Sequence, residues 1–412
     1  MLYQAIEAQL ASLVPARLTA RWMHQVMSHP MLPHSYTTGF RAAAAWFEMF
    51  DRATQQRLKP AFRIETTEIG GEQVPVRETV IAEKPFCRLV HFARETKTPR
   101  SDPSRHDPHV LIVAPMSGHH ATLLRGTVET LLPAHEVYIT DWTDARLVPL
   151  SAGPFDLADY IDTIIDLLRV LGPETHVMAV CQPSPAVLAA TALMAAANDP
   201  ATPASLTLMG GPVDTRISPT AVNRVATSQS LEWFERKVID LVPPHYPGAM
   251  RRVYPGFLQL SGFMSMNPDR HITSHVDFFR HLVVGDGDSA AAHRRFYDEY
   301  LSVMDLSADF YLDTIRHVFQ EHALPTGTFR HRGELVRPEL IRKTALMTIE
   351  GELDDISGLG QTKAAHDLCP SIPAKRRRHL EQPGVGHYGI FNGRKWRQDI
   401  YPAWAQFIRG TR

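Results

Sequence analysis

The chain has 412 residues, 44% hydrophobic and 21% charged, with a formal net charge of −1. That make-up suits one large α/β domain with an insertion, or two domains, and it removes any electrostatic reason to expect nucleic acid or an anionic membrane as partner. The opening Met1-Leu2-Tyr3-Gln4-Ala5-Ile6-Glu7 has no basic and apolar leader, no apolar run nears the ~18 residues of a membrane span, and Cys87, Cys181 and Cys369 make no disulfide framework; the expectation is a cytoplasmic protein without a transmembrane segment.

Ile6, Leu10 and Leu13, then Phe40, Ala44, Phe47 and Phe50, recur three and four residues apart, which predicts an N-terminal helical segment over residues 1–60, broken at Pro30 to Tyr36. Phe62 to Ile69 and Gln73 to Ile81 alternate on either side of Gly70-Gly71, a hairpin signal, and Arg88 to Phe92 reads as a third strand. Thr98 to Pro108 is polar and proline-containing, a surface loop.

A βαβα rhythm follows and predicts a parallel sheet with covering helices. It runs through strand His109 to Ala114, helix Thr122 to Leu132, strand Glu136 to Thr140, helix Asp156 to Leu171, strand His176 to Val180, an alanine-rich helix, and strand Ser205 to Met209. Residues 61–212 thus form the first part of the sheet domain. Over residues 213–340 the rhythm stops in favour of aromatics and methionines, among them Trp233, Tyr254, Phe263, Met264, Phe296 and Tyr300, and of helical stretches such as Ala291 to Val318. Part of this content is the insertion's own packing; as a cap over a site it suits an apolar substrate. Residues 341–412 resume the sheet with strand Ala345 to Ile349, helix Thr362 to Leu368, a strand at Arg377 to Leu380 and a last helix from Trp396 to Ile408. The basic run Lys375-Arg376-Arg377-Arg378 reads as a solvated strand edge.

The stretch that organises the rest is Thr175 to Ala190. An apolar strand reaches Cys181 and gives way to Gln182-Pro183-Ser184-Pro185 and a helix, which places the thiol where an α/β-hydrolase carries its nucleophile. That elbow usually reads Gly-x-Ser-x-Gly; here Ala179 and Pro183 flank a cysteine. Prolines suit a first helical turn, and the positive helix end favours a thiolate and a negative oxygen beside it. A cysteine at a strand end is equally a small buried hydrophobe, so partners decide the matter. The hydrolase order of nucleophile, acid and histidine nominates Asp354, with Asp355 as rival, and His387 in the loop Gly384-Val385-Gly386-His387-Tyr388-Gly389. The oxyanion needs two N–H donors: the residue after the nucleophile, Gln182, and one in Ala114-Pro115-Met116-Ser117-Gly118, where Met116 is nominated and Ser117 is the alternative. His119 and His120 have a metal-ligand reading that no accompanying motif supports, so no metal or cofactor is expected. The fold class expected is an α/β-hydrolase with a mostly parallel central sheet, a helical cap insertion and an N-terminal helical segment.

Met1-Leu2-Tyr3-Gln4, Asp141-Trp142, Val180-Cys181-Gln182-Pro183, Tyr254-Pro255-Gly256-Phe257-Leu258-Gln259, Glu350-Gly351-Glu352 with Asp354-Asp355-Ile356, and Val385-Gly386-His387-Tyr388-Gly389 together resemble the intracellular polyhydroxybutyrate depolymerases, over nearly the whole chain. The resemblance implies a cysteine nucleophile at Cys181 completed by Asp354 and His387. It also implies cleavage of amorphous poly(3-hydroxybutyrate) on cytoplasmic granules to 3-hydroxybutyrate oligomers and monomer. The residues alone reach a cysteine-dependent esterase or acyltransferase, so release of polymer onto coenzyme A or a synthase-like reaction is the alternative; a non-catalytic granule-coating protein has no use for three triad members in chain order. A homo-oligomer remains open at this level.

Overall fold

Val110 to Val113, Val177 to Val180, Leu206 to Met209 and Ala345 to Ile349 are near-continuous apolar runs, and all are buried. Strands buried on both faces read this way because helices cover the sheet above and below. The computed structural model describes residues 2–95, 107–266 and 268–411; most of the loop expected from Thr98 falls outside them. Its main sheet has nine strands: β1 (Thr66–Ile69), β2 (Glu72–Lys84), β3 (Cys87–Arg94), β4 (His109–Val113), β5 (Glu136–Trp142), β6 (His176–Val180) and β7 (Ser205–Met209), with two more after the insertion. The insertion carries the short strands β8 (Asp240–Leu241), β9 (Arg252–Tyr254), β10 (Leu306–Ser307), β11 (Arg330–His331) and β12 (Glu334–Leu335), and the sheet then closes with β13 (Ala345–Gly351) and β14 (Arg377–Gln382).

The order across the main sheet is β1-β2-β3-β5-β4-β6-β7-β13-β14. β1 to β3 form an antiparallel meander, and from β5 to β14 every pairing is parallel. β6 therefore lies inside the parallel region between β4 and β7. This is the α/β-hydrolase arrangement, in which a central strand delivers the elbow.

Helices α1 (Leu2–Ser12), α2 (Val14–Met27) and α3 (Thr38–Thr54) precede the sheet; α4 (Arg125–Leu131), α5 (Leu157–Leu171) and α6 (Ser184–Ala196) cover it. α5 begins at a capping box, with Asp156 and Asp159 satisfying each other's backbone N–H, and stops at Gly172. Its expected inner residues Leu157, Ile161, Ile164, Ile165 and Leu168 are buried. α6 is apolar nearly all round and is buried nearly all round, as such a helix must be.

The insertion holds α7 (Ala221–Ser228), α8 (Leu231–Val238), α9 (Gly256–Met266), α10 (Pro268–Val284), α11 (Gly287–Tyr300) and α12 (Ala308–Thr314). A single helix across Ala291 to Val318 is not formed. The chain leaves the helix after Tyr300 because long-range partners outcompete continuation: the Met304 N–H donates to Gly118 O at 2.7 Å, and Asp305 accepts from Gly256 N–H at 2.9 Å and from the Tyr3 hydroxyl at 2.7 Å. A three-stranded sheet, β10-β9-β8, forms beside that break.

The N-terminal helices pack on the insertion. Arg294 on α11 makes a two-pronged pair with Glu48 on α3 at 2.6 and 2.8 Å, and Arg52 on α3 reaches Asp298 on α11 at 2.7 Å. Among the described residues no helix is long and apolar enough to cross a membrane.

Candidate active site

Cys181 follows β6 with φ +67°, a left-handed conformation that costs a non-glycine residue on the order of 1–3 kcal/mol. The turn is held from both sides: its N–H donates to Met209 O at 2.7 Å, and Ser184 N–H donates to Cys181 O at 3.2 Å. Such strain is kept where a side chain must stand out of a strand-to-helix corner, and Cys181 is half-buried while Cys87 and Cys369 are fully buried. Burial raises the Cys369 thiol pKa to about 12 and that of Cys87 well above its ordinary value. α6 is preceded at its N-cap by Pro183 and carries Pro185 in its first turn, so its N-terminus opens beside Cys181.

Asp354 occupies the turn after β13, where its N–H donates to Gly351 O at 3.2 Å. One carboxylate oxygen accepts the Ile356 and Ser357 N–H groups, both at 2.9 Å, and the other faces His387 Nδ1 at 2.7 Å. Both side chains of this pair are buried. The rival Asp355 is exposed. With Nδ1–H donated to the carboxylate, Nε2 is left for the thiol. Burial alone would lower the His387 pKa; the adjoining Cys181 and Asp354 charges, and hydrogen bonds to both, outweigh it and hold the pKa well above the ordinary value.

Two glycines after β7, which the sequence marks only as the end of the βα rhythm, form the floor of this site. A Cβ on Gly210 would lie 3.2 Å from Asp354 Oδ2 and 3.3 Å from His387 Cε1; one on Gly211 would lie 1.9 Å from Ser184 Oγ and 2.8 Å from Cys181 O. The insertion reaches the site at one aromatic contact: Tyr300, the last residue of α11, packs edge-on to Tyr388, the neighbour of His387, at 6.1 Å between centroids.

The loop expected to supply an oxyanion donor is anchored at its root, where Ala114 N–H donates to Thr140 Oγ1 and the Trp142 indole N–H donates to Ala114 O, both at 2.9 Å. Thus Trp142 of the Asp141-Trp142 pair positions that loop, and buried Asp141 holds Lys59 and Arg88. Met116 N–H points to the elbow and donates to the side-chain oxygen of Gln182 at 3.1 Å. Gly118, at φ +109°, is pressed against Gln259 of α9, whose Nε2 donates to Met304 O at 3.3 Å. Gln259 is a positioning residue whose part the sequence did not reveal, although it closes one of the distinctive segments.

His119 and His120 are both buried, and burial lowers their pKa values to about 4 and about 3. His119 Nε2–H donates to Tyr300 O at 3.0 Å, which makes it a strut between this loop and α11. Among the described residues no three His, Cys, Asp and Glu side chains gather in a group able to hold a metal.

The strand order and the strained elbow define the class: an α/β-hydrolase. Residues 210–412, just under half of the chain, match the family described as "PHB de-polymerase C-terminus", and this match on an α/β-hydrolase fold makes the chain an ester hydrolase. No curated protein sequence matches the chain. Solved structures similar to it include the monoacylglycerol lipase of Paleococcus ferrophilus, 11% identical over 74% of this chain and 96% of that one with a TM-score of 0.43. Others are a thermophilic esterase of Thermogutta terrifontis (14%; 87% and 99%; 0.41) and a 2-hydroxy-6-oxo-6-phenylhexa-2,4-dienoate hydrolase of Rhodococcus sp. strain RHA1 (12%; 82% and 99%; 0.44).

Proposed function

We propose that the chain is an intracellular depolymerase that hydrolyses the ester bonds of amorphous poly(3-hydroxybutyrate) at the surface of cytoplasmic granules. The observation that carries this reading is the buried Asp354–His387 pair, 2.7 Å apart, beside a cysteine held at a positive φ whose charge helps to raise the imidazole's pKa. His387 takes the thiol proton of Cys181, and the sulfur attacks the ester carbonyl carbon. The oxyanion that forms is held by the backbone N–H groups of Gln182 and Met116. Collapse expels the hydroxyl end of the leaving chain, which takes its proton from His387 and leaves a thioester on Cys181. Water deprotonated by the same histidine attacks the thioester, releases the 3-hydroxybutyrate acid and restores the thiol. Asp354 fixes the imidazole tautomer and stabilises its cation throughout. The family match supports the polymer as substrate, and aromatic groups such as Tyr300 and Tyr388 beside the histidine suit its apolar chain.

The test is acid release from protein-free amorphous granules by wild type and Cys181→Ala, with and without coenzyme A. Release that is lost in the variant and indifferent to coenzyme A is expected. Release only with coenzyme A, as an acyl thioester, would assign the same three residues to a transferase, and undiminished release by Cys181→Ala would remove the nucleophile.

A further inference from the structure

We propose that the side chain of Gln182 occupies the oxyanion site of the resting protein, so that the Met116 donor reaches the substrate only when the oxyanion displaces it. The inference rests on the nucleophile and oxyanion roles argued above. Its geometry is the 3.1 Å hydrogen bond from Met116 N–H to Gln182 Oε1, made across the mouth of the elbow by the residue that follows Cys181. Among the described residues the backbone N–H of Gln182 has no protein acceptor. One of the two donors is thus open, and the other is filled by the open donor's own side chain.

The two ends of this contact differ in freedom. Met116 N–H sits in a loop fixed at its root by Thr140 and Trp142 and at its far end by Met304 N–H on Gly118 O and by Gln259 against Gly118. Gln182 is half-buried and unbranched, with rotatable bonds to spare. An apolar cavity of about 20 Å³ adjoins it, lined also by Pro185, Val213 and Phe329, and is only large enough for something the size of a water. The side chain is therefore the partner that moves, and it moves towards its solvent-facing side.

The chemistry makes this a filter. Amide oxygen and ester carbonyl are both neutral acceptors, so a ground-state ester gains little by expelling Gln182. An oxyanion makes charge-assisted hydrogen bonds about twice as strong and displaces it. The donor is thereby withheld from the bound ester and released at the transition state only at the expense of the Gln182 contact, so the side chain weakens substrate binding and leaves the step from bound ester to transition state nearly unchanged.

Gln182→Met keeps the volume and removes the acceptor, and Gln182→Asn keeps the amide but is one methylene short of Met116. For a soluble 3-hydroxybutyrate trimer, followed by acid release, both variants should show a KM about three- to tenfold lower with kcat within about twofold of wild type. A fall in kcat at unchanged KM would make Gln182 a strut for the loop and overturn the proposal, as would KM and kcat both unmoved in the two variants. A trimer left intact by wild type, or cleaved undiminished by Cys181→Ala, would instead overturn the functional reading beneath it and the proposal with it.

Discussion

Asp354 divides its carboxylate between two tasks: one oxygen is held by the Ile356 and Ser357 N–H groups, and the other orients His387. Asp354→Asn preserves the first task and reverses the second when its amide N–H₂ meets Nδ1, because the imidazole then needs the opposite tautomer. A loss of about 10³–10⁴-fold in kcat for acid release is expected, with the thermal midpoint little changed. A loss below about tenfold would pass the orienting role to Asp355. At this scale chain order and local turn chemistry make Cys181, Asp354 and His387 legible as candidates, since each stands at the end of a recognisable strand. The contact between Gln182 and Met116 is not legible, because it depends on where one side chain points across a sequence separation of 66.

The elbow is assembled by three elements, not by its own strand and helix alone. β7 contributes the Met209 carbonyl that receives the Cys181 N–H, and the two glycines after β7 let the chain pass against α6. Gly211→Ala places a methyl 1.9 Å from Ser184 Oγ and 2.2 Å from Ser184 Cβ, with backbone beyond. Overpacking of this kind costs about 1–3 kcal/mol, and relief by moving α6 also shifts Cys181. Chemical denaturation should register the loss and acid release should fall with it; a variant equal to wild type in both would show that the turn has slack. The parallel strands are readable from apolar runs and turns, whereas the helical pattern through Ala291 to Val318 does not reveal its own break. Its periodicity continues past Tyr300, whereas Met304 and Asp305 answer to Gly118, Gly256 and Tyr3, partners remote in sequence.

Across the whole molecule, folding buries imidazoles that must stay neutral. Burial lowers His119 and His135 to about 4 and His120 to about 3, against 6.5 for the ordinary side chain. Below pH 6.5 the unfolded chain therefore binds more protons than the folded one. The contribution is complete above that pH and is lost as pH falls, at up to about 1.4 kcal/mol per unit for each histidine until its folded pKa is reached. His387 acts in the opposite sense: its raised pKa gives stability that is present below the ordinary value and lost as pH rises through the folded one. Five lowered rings, counting His293 and His366, which burial also lowers to about 4, outnumber His387 and the buried carboxyls of Asp144, raised to about 7, and Asp305, which act in its sense. The thermal midpoint is predicted to fall from about pH 7 to pH 5, and to fall less in His135→Gln. A midpoint flat over that interval would mean that these rings are solvated.

The unequal burial of the three cysteines has a use at this same scale. Cys87 and Cys369 are sealed in the core with thiols that resist ionisation, while Cys181 stands half-open at the elbow. To an electrophile in solution the folded chain is a monothiol. A reagent that alkylates it counts competent molecules one for one, and a fluorophore attached that way reports from the elbow without any cysteine first being removed.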